Sequence, residues 1–156
     1  MKNLTLIFIP VALLLASCSV EEEPELVLSS MQINLISVQD FPGTDNGNNW
    51  DFWTSHPDIY VALKLNGVRF YTSEYYDECI NANTYNYDSD LPLYLEDASL
   101  EHSIELWDYD STSDDEYMGG YYFTPSDYEG QNTITLQNST SEIVIVLEVE
   151  WNYKEI

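Results

Sequence analysis

Positive charge is what this sequence has least of: four Lys and Arg stand against 28 Asp and Glu in 156 residues, a formal charge of −24. Phosphate backbones are held by clustered Lys and Arg, so nucleic acid is excluded as a partner, and so is a basic patch for anionic lipid. Histidine is nearly as scarce. His56 and His102 cannot build a multi-histidine zinc site, and they leave little for a catalytic triad. No Gly-x-Ser-x-Gly elbow occurs, and no stretch carries a convincing apolar stripe of helical period. Paired carboxylates could serve glycoside hydrolysis, but those acids need differently tuned surroundings, and here they crowd into one loop, so no enzyme is expected.

What is present begins with an export signal. Lys2 precedes an apolar run from Leu4 to Leu15, interrupted by Pro10, and the small residues Ala16 and Ser17 lead into Cys18. The run is short for a membrane span. Leu15-Ala16-Ser17-Cys18 resembles the lipobox of bacterial lipoproteins, which implies cleavage after residue 17 and a lipid anchor on Cys18. Several acyl chains, at ~0.8 kcal/mol per buried methylene, make such an anchor long-lived. Residues 1–17 are then the signal peptide, and the membrane is a partner through the anchor. Without Cys18 the mature chain has only Cys79, so no intramolecular disulfide can form and stability must come from a core. Cys79 itself is expected to be an inert, partly buried thiol.

Residues 18–29 read as a tether, because Ser19-Val20-Glu21-Glu22-Glu23-Pro24-Glu25 offers almost nothing apolar to bury. An acidic run behind the acylated cysteine is similar to the surface-export signal of Bacteroidetes lipoproteins, which implies an outer-membrane protein facing outward; a plain solvated spacer is the other reading. Residues 30–156 form the domain. Expected strands are Met31–Val38, Ile59–Leu65, Val68–Tyr71, Leu91–Leu95, Ser103–Trp107, Tyr121–Phe123, Thr133–Leu136 and Glu142–Trp151, with Thr72 to Asp90 mostly loop. Asn66-Gly67 suits a type I′ hairpin turn. About eight short strands predict an all-β antiparallel sandwich.

Carboxylates gather after one strand, in Trp107-Asp108-Tyr109-Asp110-Ser111-Thr112-Ser113-Asp114-Asp115-Glu116-Tyr117-Met118-Gly119. Asp108 and Asp110 point the same way on an extended backbone, and charges about 4 Å apart repel by roughly 4 kcal/mol at an effective dielectric near 20. A cation is expected between them, and hard oxygens in this number suit calcium. The spacing is not that of an EF-hand: Ser113 stands at the turn glycine and Gly119 at the closing glutamate.

The pattern Trp-Asp-x-Asp, five residues, an acid, two hydrophobic residues and Gly resembles the third calcium loop of C2 domains. Asp51-Phe52-Trp53-Thr54-Ser55-His56-Pro57-Asp58-Ile59-Tyr60-Val61 is similar to their first loop and the strand after it. The resemblance implies calcium ligation by Asp51, Asp58, Asp108, Asp110 and Glu116, with Asp114 replacing or supplementing Glu116, where the family usually has Asp. It also implies contact of Trp50 and Phe52 with membrane or ligand, while Trp53 is expected to pack against the sandwich. One strand before the first loop and three after the third imply the circularly permuted form of the sandwich. Phospholipid or a surface glycan, reached through calcium, is the expected partner. The competing expectation is a glycan-binding or purely structural sandwich, with Tyr71, Tyr75, Tyr76, Tyr85, Tyr87 and Tyr94 as stacking rings or as half-buried structure.

The lipobox makes one direct prediction: Cys18→Ser blocks acylation and leaves an unprocessed or soluble protein. Metabolic labelling with radioactive fatty acid checks it, and label retained on the variant refutes the anchor.

Overall fold

The computed structural model describes residues 24–45, 47–50 and 56–156. Among the described residues nine strands make two antiparallel sheets: β1 (Leu26–Asp40), β2 (Ile59–Leu65), β3 (Val68–Thr72), β4 (Tyr85–Tyr87), β5 (Leu93–Leu95), β6 (His102–Asp108), β7 (Glu116–Phe123), β8 (Thr133–Leu136) and β9 (Val144–Glu155). One sheet runs β4-β1-β9-β8, with β5 also paired to β1; the other runs β3-β2-β6-β7. A single 3-10 turn at Pro125–Tyr128 is the helical element among the described residues. No helix among them is long and apolar enough to cross a membrane.

Alternation builds the core, as expected of a sandwich. Ile59, Val61 and Leu63 of β2 and Ile104 and Leu106 of β6 face Met31, Ile33, Ile36 and Val38 of β1 and Ile145, Leu147 and Val149 of β9, all buried. A fully buried aliphatic chain of this kind contributes ~1.5–3 kcal/mol. The outward residues of β2 depart from the expected half-exposed pattern, since Tyr60 and Ala62 are buried as well. The cause lies on the outer face, where Arg69 stacks over the rings of Tyr60 and Trp107 at 5.6 and 4.9 Å. Asn66 and Gly67 turn β2 into β3 with φ of 52° and 77°, the positive pair that a type I′ turn demands.

Several element bounds differ from the sequence expectation, three of them for a physical reason that the pairing shows. β1 starts at Leu26, inside the stretch read as tether, because β9 runs on to Glu155 and supplies a partner down to Leu26. β4 lies in the segment assigned to loop; its three residues pair with Ile36, Ser37 and Val38, too short a run to show a period. β7 begins five residues early, at Glu116, where register with Asp108 rather than hydrophobicity extends the strand. One strand precedes the loop after β1, and three follow the loop after β6.

The sandwich has two poles. At the upper pole β1 ends, β2 begins and β6 ends, and Pro57 accepts a hydrogen bond from the Cys79 amide while Asn81 Oδ1 accepts one from the Phe41 amide. At the lower pole Leu65, His102 and Phe123 are register partners, and Ser29 accepts the Ala98 amide hydrogen bond at 3.3 Å. Below Ser29 the β1–β9 ladder continues as a two-stranded ribbon to Leu26 and Glu155.

β7 lies close on β6 at Gly120, where an added Cβ would lie 2.2 Å from the Ile104 carbonyl oxygen, a backbone atom that cannot swing away. Gly120→Ala should therefore cost about 2–3 kcal/mol. Gly43→Ala, with nothing within 4 Å, serves as control. Equal denaturation midpoints for the two variants would refute this account.

Candidate calcium-loop pole

Strand register gathers the acidic residues. Ile59 pairs with Asp108 and Asp108 with Glu116, so Asp58, Asp108 and Glu116 stand at the ends of three neighbouring strands. The Asp108 carboxylate is fully buried, and its Oδ1 accepts the Asp58 amide at 2.7 Å. Asp58 Oδ1 in turn accepts the amide of Glu78 at 2.8 Å, and the Asp58 carbonyl accepts the amide of Tyr109 at 2.8 Å. Glu78 adopts a left-handed φ of 50°, which turns its amide toward Asp58, while its carboxylate lies 3.8 Å from His56.

The loop between β6 and β7 is folded around a residue that was not among the expected ligands. Asp115 accepts the Asp110 amide on Oδ1 at 3.2 Å and the Tyr60 hydroxyl on Oδ2 at 2.8 Å. Burial first, and then the bond to Asp115, push the Tyr60 hydroxyl above its usual pKa. Arg69 donates to the same hydroxyl at 3.3 Å. The only sequence signal for Asp115 was its place in the run Asp114-Asp115-Glu116, and the contacts with Tyr60 and Asp110 set it apart from its two neighbours. Asp114 and Glu116 are exposed, and Asp110 is half-buried.

Of the remaining expected site residues, Asp51 and Phe52 lie outside the described residues, as do Trp53 and Cys18. Trp50 is buried to 8 % exposure in the core cluster, with its indole N–H donated to the Pro42 carbonyl at 2.8 Å, so little of its ring faces outward. The tyrosines divide. Tyr87 is buried and donates to the Ile59 carbonyl at 2.8 Å, Tyr71 is buried, and Tyr76 packs against Tyr85 and Tyr87 at 5.3 and 5.1 Å. Tyr75 is half exposed and stacks on Tyr109 of the acidic loop at 4.5 Å. Cys79 is buried under this pole, and burial raises its thiol to about 11, so it is neither thiolate nor nucleophile at neutral pH. The two histidines sit at opposite poles; His102 is buried below, with Nδ1 2.9 Å from the Leu100 carbonyl.

The donor set fits calcium by its chemistry: hard carboxylate oxygens on converging strand ends, beside backbone carbonyls. Among the described residues, no three carboxylate, thiol or imidazole groups already form a metal-holding cluster. Asp58, Asp108, Asp110 and Glu116, with Asp114 at the rim, are the groups that would hold the ion.

The C2 domain family model matches residues 29–141. This chain belongs to the C2 domain family. Solved structures agree on the fold: a structure of a C2 domain (TM-score 0.54, 11 % identity) covers 79 % of this chain and 97 % of its own. The two calcium-bound C2 domains of Extended-Synaptotagmin 2 (TM-score 0.51, 20 % identity) match over 83 % of this chain, which spans 47 % of that one. Human GIVD cytosolic phospholipase A2 with an inhibitor and terbium chloride (TM-score 0.53, 13 % identity) matches over 83 % of this chain and 18 % of its own length. No curated protein matches the sequence.

The clamp on the acidic loop is testable. Tyr60→Phe keeps the ring under Arg69 but removes the donor to Asp115, and should lower stability by about 1 kcal/mol. Amide exchange at Asp110 should also quicken, since Asp115 loses its second anchor. Unchanged exchange at Asp110 would show that Asp115 does not hold the loop.

Proposed function

We propose that this chain is a non-catalytic, calcium-binding C2 domain, exported and held by lipid on Cys18 to the outer membrane with the domain facing outward. Calcium at the upper pole joins it to phospholipid or another anionic surface ligand. The observation that carries this reading is the register Ile59–Asp108–Glu116, which sets Asp58, Asp108 and Glu116 at three adjacent strand ends. Family membership and the calcium-bound state of the similar Extended-Synaptotagmin 2 domains support it. In a chain with 28 acidic and four basic side chains, an anion is reached through a bridging cation. The carboxylates are not yet gathered into a cage, so part of the binding energy goes into drawing the loops together. Affinity should be weak, about 10⁻⁴ to 10⁻³ M, as in other extracellular modules.

Calcium should raise the melting temperature of chelator-treated protein, since an ion that binds only the folded state stabilises it by ~1.4 kcal/mol at tenfold saturation. The calcium-induced shift should vanish in Asp108→Asn/Asp110→Asn. It should survive in Asp88→Asn/Asp90→Asn, which removes the same charge elsewhere. The shift is the discriminating quantity, because removing crowded carboxylates can stabilise the calcium-free domain on its own. Equal shifts in both variants, or none in the unaltered protein, refute the calcium site.

A further inference from the structure

The acidic loops and the start of the domain lie at opposite poles. β1 ends at Asp40 beside the loops and begins at Leu26 on the lower ribbon. Its 15 residues at a strand rise of ~3.3 Å per residue separate the two ends by about 45 Å. Seven residues lie between Cys18 and Leu26. Even fully extended they reach at most about 28 Å. A protein held at Cys18 therefore cannot turn its upper pole down onto the bilayer that holds the lipid, because the connection would have to run back along the whole domain. Laid on its side, the domain brings a flank to the bilayer and leaves the loops pointing along it.

Resting on the anchored, calcium-binding reading above, we infer that the upper pole acts away from its own membrane, and that its partner is an acidic polysaccharide in the space in front of it. Three observations favour a sugar polymer over a facing bilayer. The tip Ser111-Thr112-Ser113 is polar and exposed, and Trp50 is turned into the core, so these parts of the loops offer no wedge for lipid. Tyr75 and Tyr109 form a stacked pair, 4.5 Å apart and 18° from parallel, and Tyr109 stands between Asp108 and Asp110 in the chain. Tyr75 is 48 % exposed, and a half-exposed ring stacked on a residue of the acidic loop suits a pyranose that carries a carboxylate. The carboxylate completes the calcium shell, the ring face receives the sugar, and calcium offsets the repulsion between two polyanions.

The experiment uses the full lipidated chain in phosphatidylcholine vesicles, with a fluorophore on Thr112→Cys; Cys79 is buried and does not compete for label. Brominated lipid in the same vesicles should leave the fluorescence unquenched with or without calcium. Polygalacturonate should be retained about tenfold more in calcium than in chelator, a ratio worth ~1.4 kcal/mol. Retention should be lost in Asp108→Asn/Asp110→Asn and weakened in Tyr75→Ala, whose calcium-induced melting shift stays intact. Calcium-dependent quenching by the carrier lipid overturns the orientation. Capture of a second population of anionic vesicles in place of polygalacturonate, or no capture by protein whose melting shift is intact, overturns the polysaccharide partner. Loss of the melting shift itself would instead refute the calcium site beneath it.

Discussion

The hydrogen bond from the Asp58 amide to the buried Asp108 carboxylate is the joint on which the upper pole depends. A buried carboxylate is costly unless its oxygens find partners. Oδ1 of Asp108 finds one in the backbone of the residue just before β2, so the two strands are locked in register at the point where both stop being sheet. From that lock the rest follows in order. Asp58 is held with its own carboxylate toward Glu78, Tyr109 is bound back to Asp58, and Tyr75 is brought within stacking distance of Tyr109. One carboxylate thus sets the geometry of three loops.

Much of this was legible in the sequence because it repeats with short period. Alternation along Ile59 to Leu65 gave β2, Asn66-Gly67 gave the turn, and the spacing of Asp108, Asp110 and Glu116 pointed to the family and to the loop. What was not legible depends on contacts between distant segments. β4 exists because β1 has an open edge for it, and Tyr85, Asn86 and Tyr87 carry no alternation of their own. The anchoring of Asp115 depends on the Tyr60 hydroxyl, 55 residues away. Burial of Trp50 depends on a carbonyl at Pro42 that no local pattern announces.

Charge explains how the remaining structure tolerates this pole. Most of the 28 acids are exposed, where water and salt screen them and repulsion costs little at each site. Among the described residues, those that are buried have named partners: Asp108 has the Asp58 amide, and Glu105 has Lys64 at 2.7 Å and the Trp107 indole at 2.9 Å. The acidic excess is therefore a property of the surface rather than of the core, and the apolar packing between sheets is free of it.

The few cations complete the argument. Lys64 is committed to Glu105 and lies over Trp107 at 5.3 Å, while Arg69 lies over Trp107 and Tyr60 and donates to the Tyr60 hydroxyl. Both serve to cover the outer face of the β3-β2-β6-β7 sheet, where stacked cations contribute ~0.5–1 kcal/mol each at partly exposed sites. They are held by the protein's own aromatic rings and, for Lys64, its own carboxylate. Tyr60 joins this face to Asp115 and hence to the acidic loop, so the cations brace the loop from behind. The calcium site proposed above lies at the strand ends of the upper pole, on the loop that this brace supports.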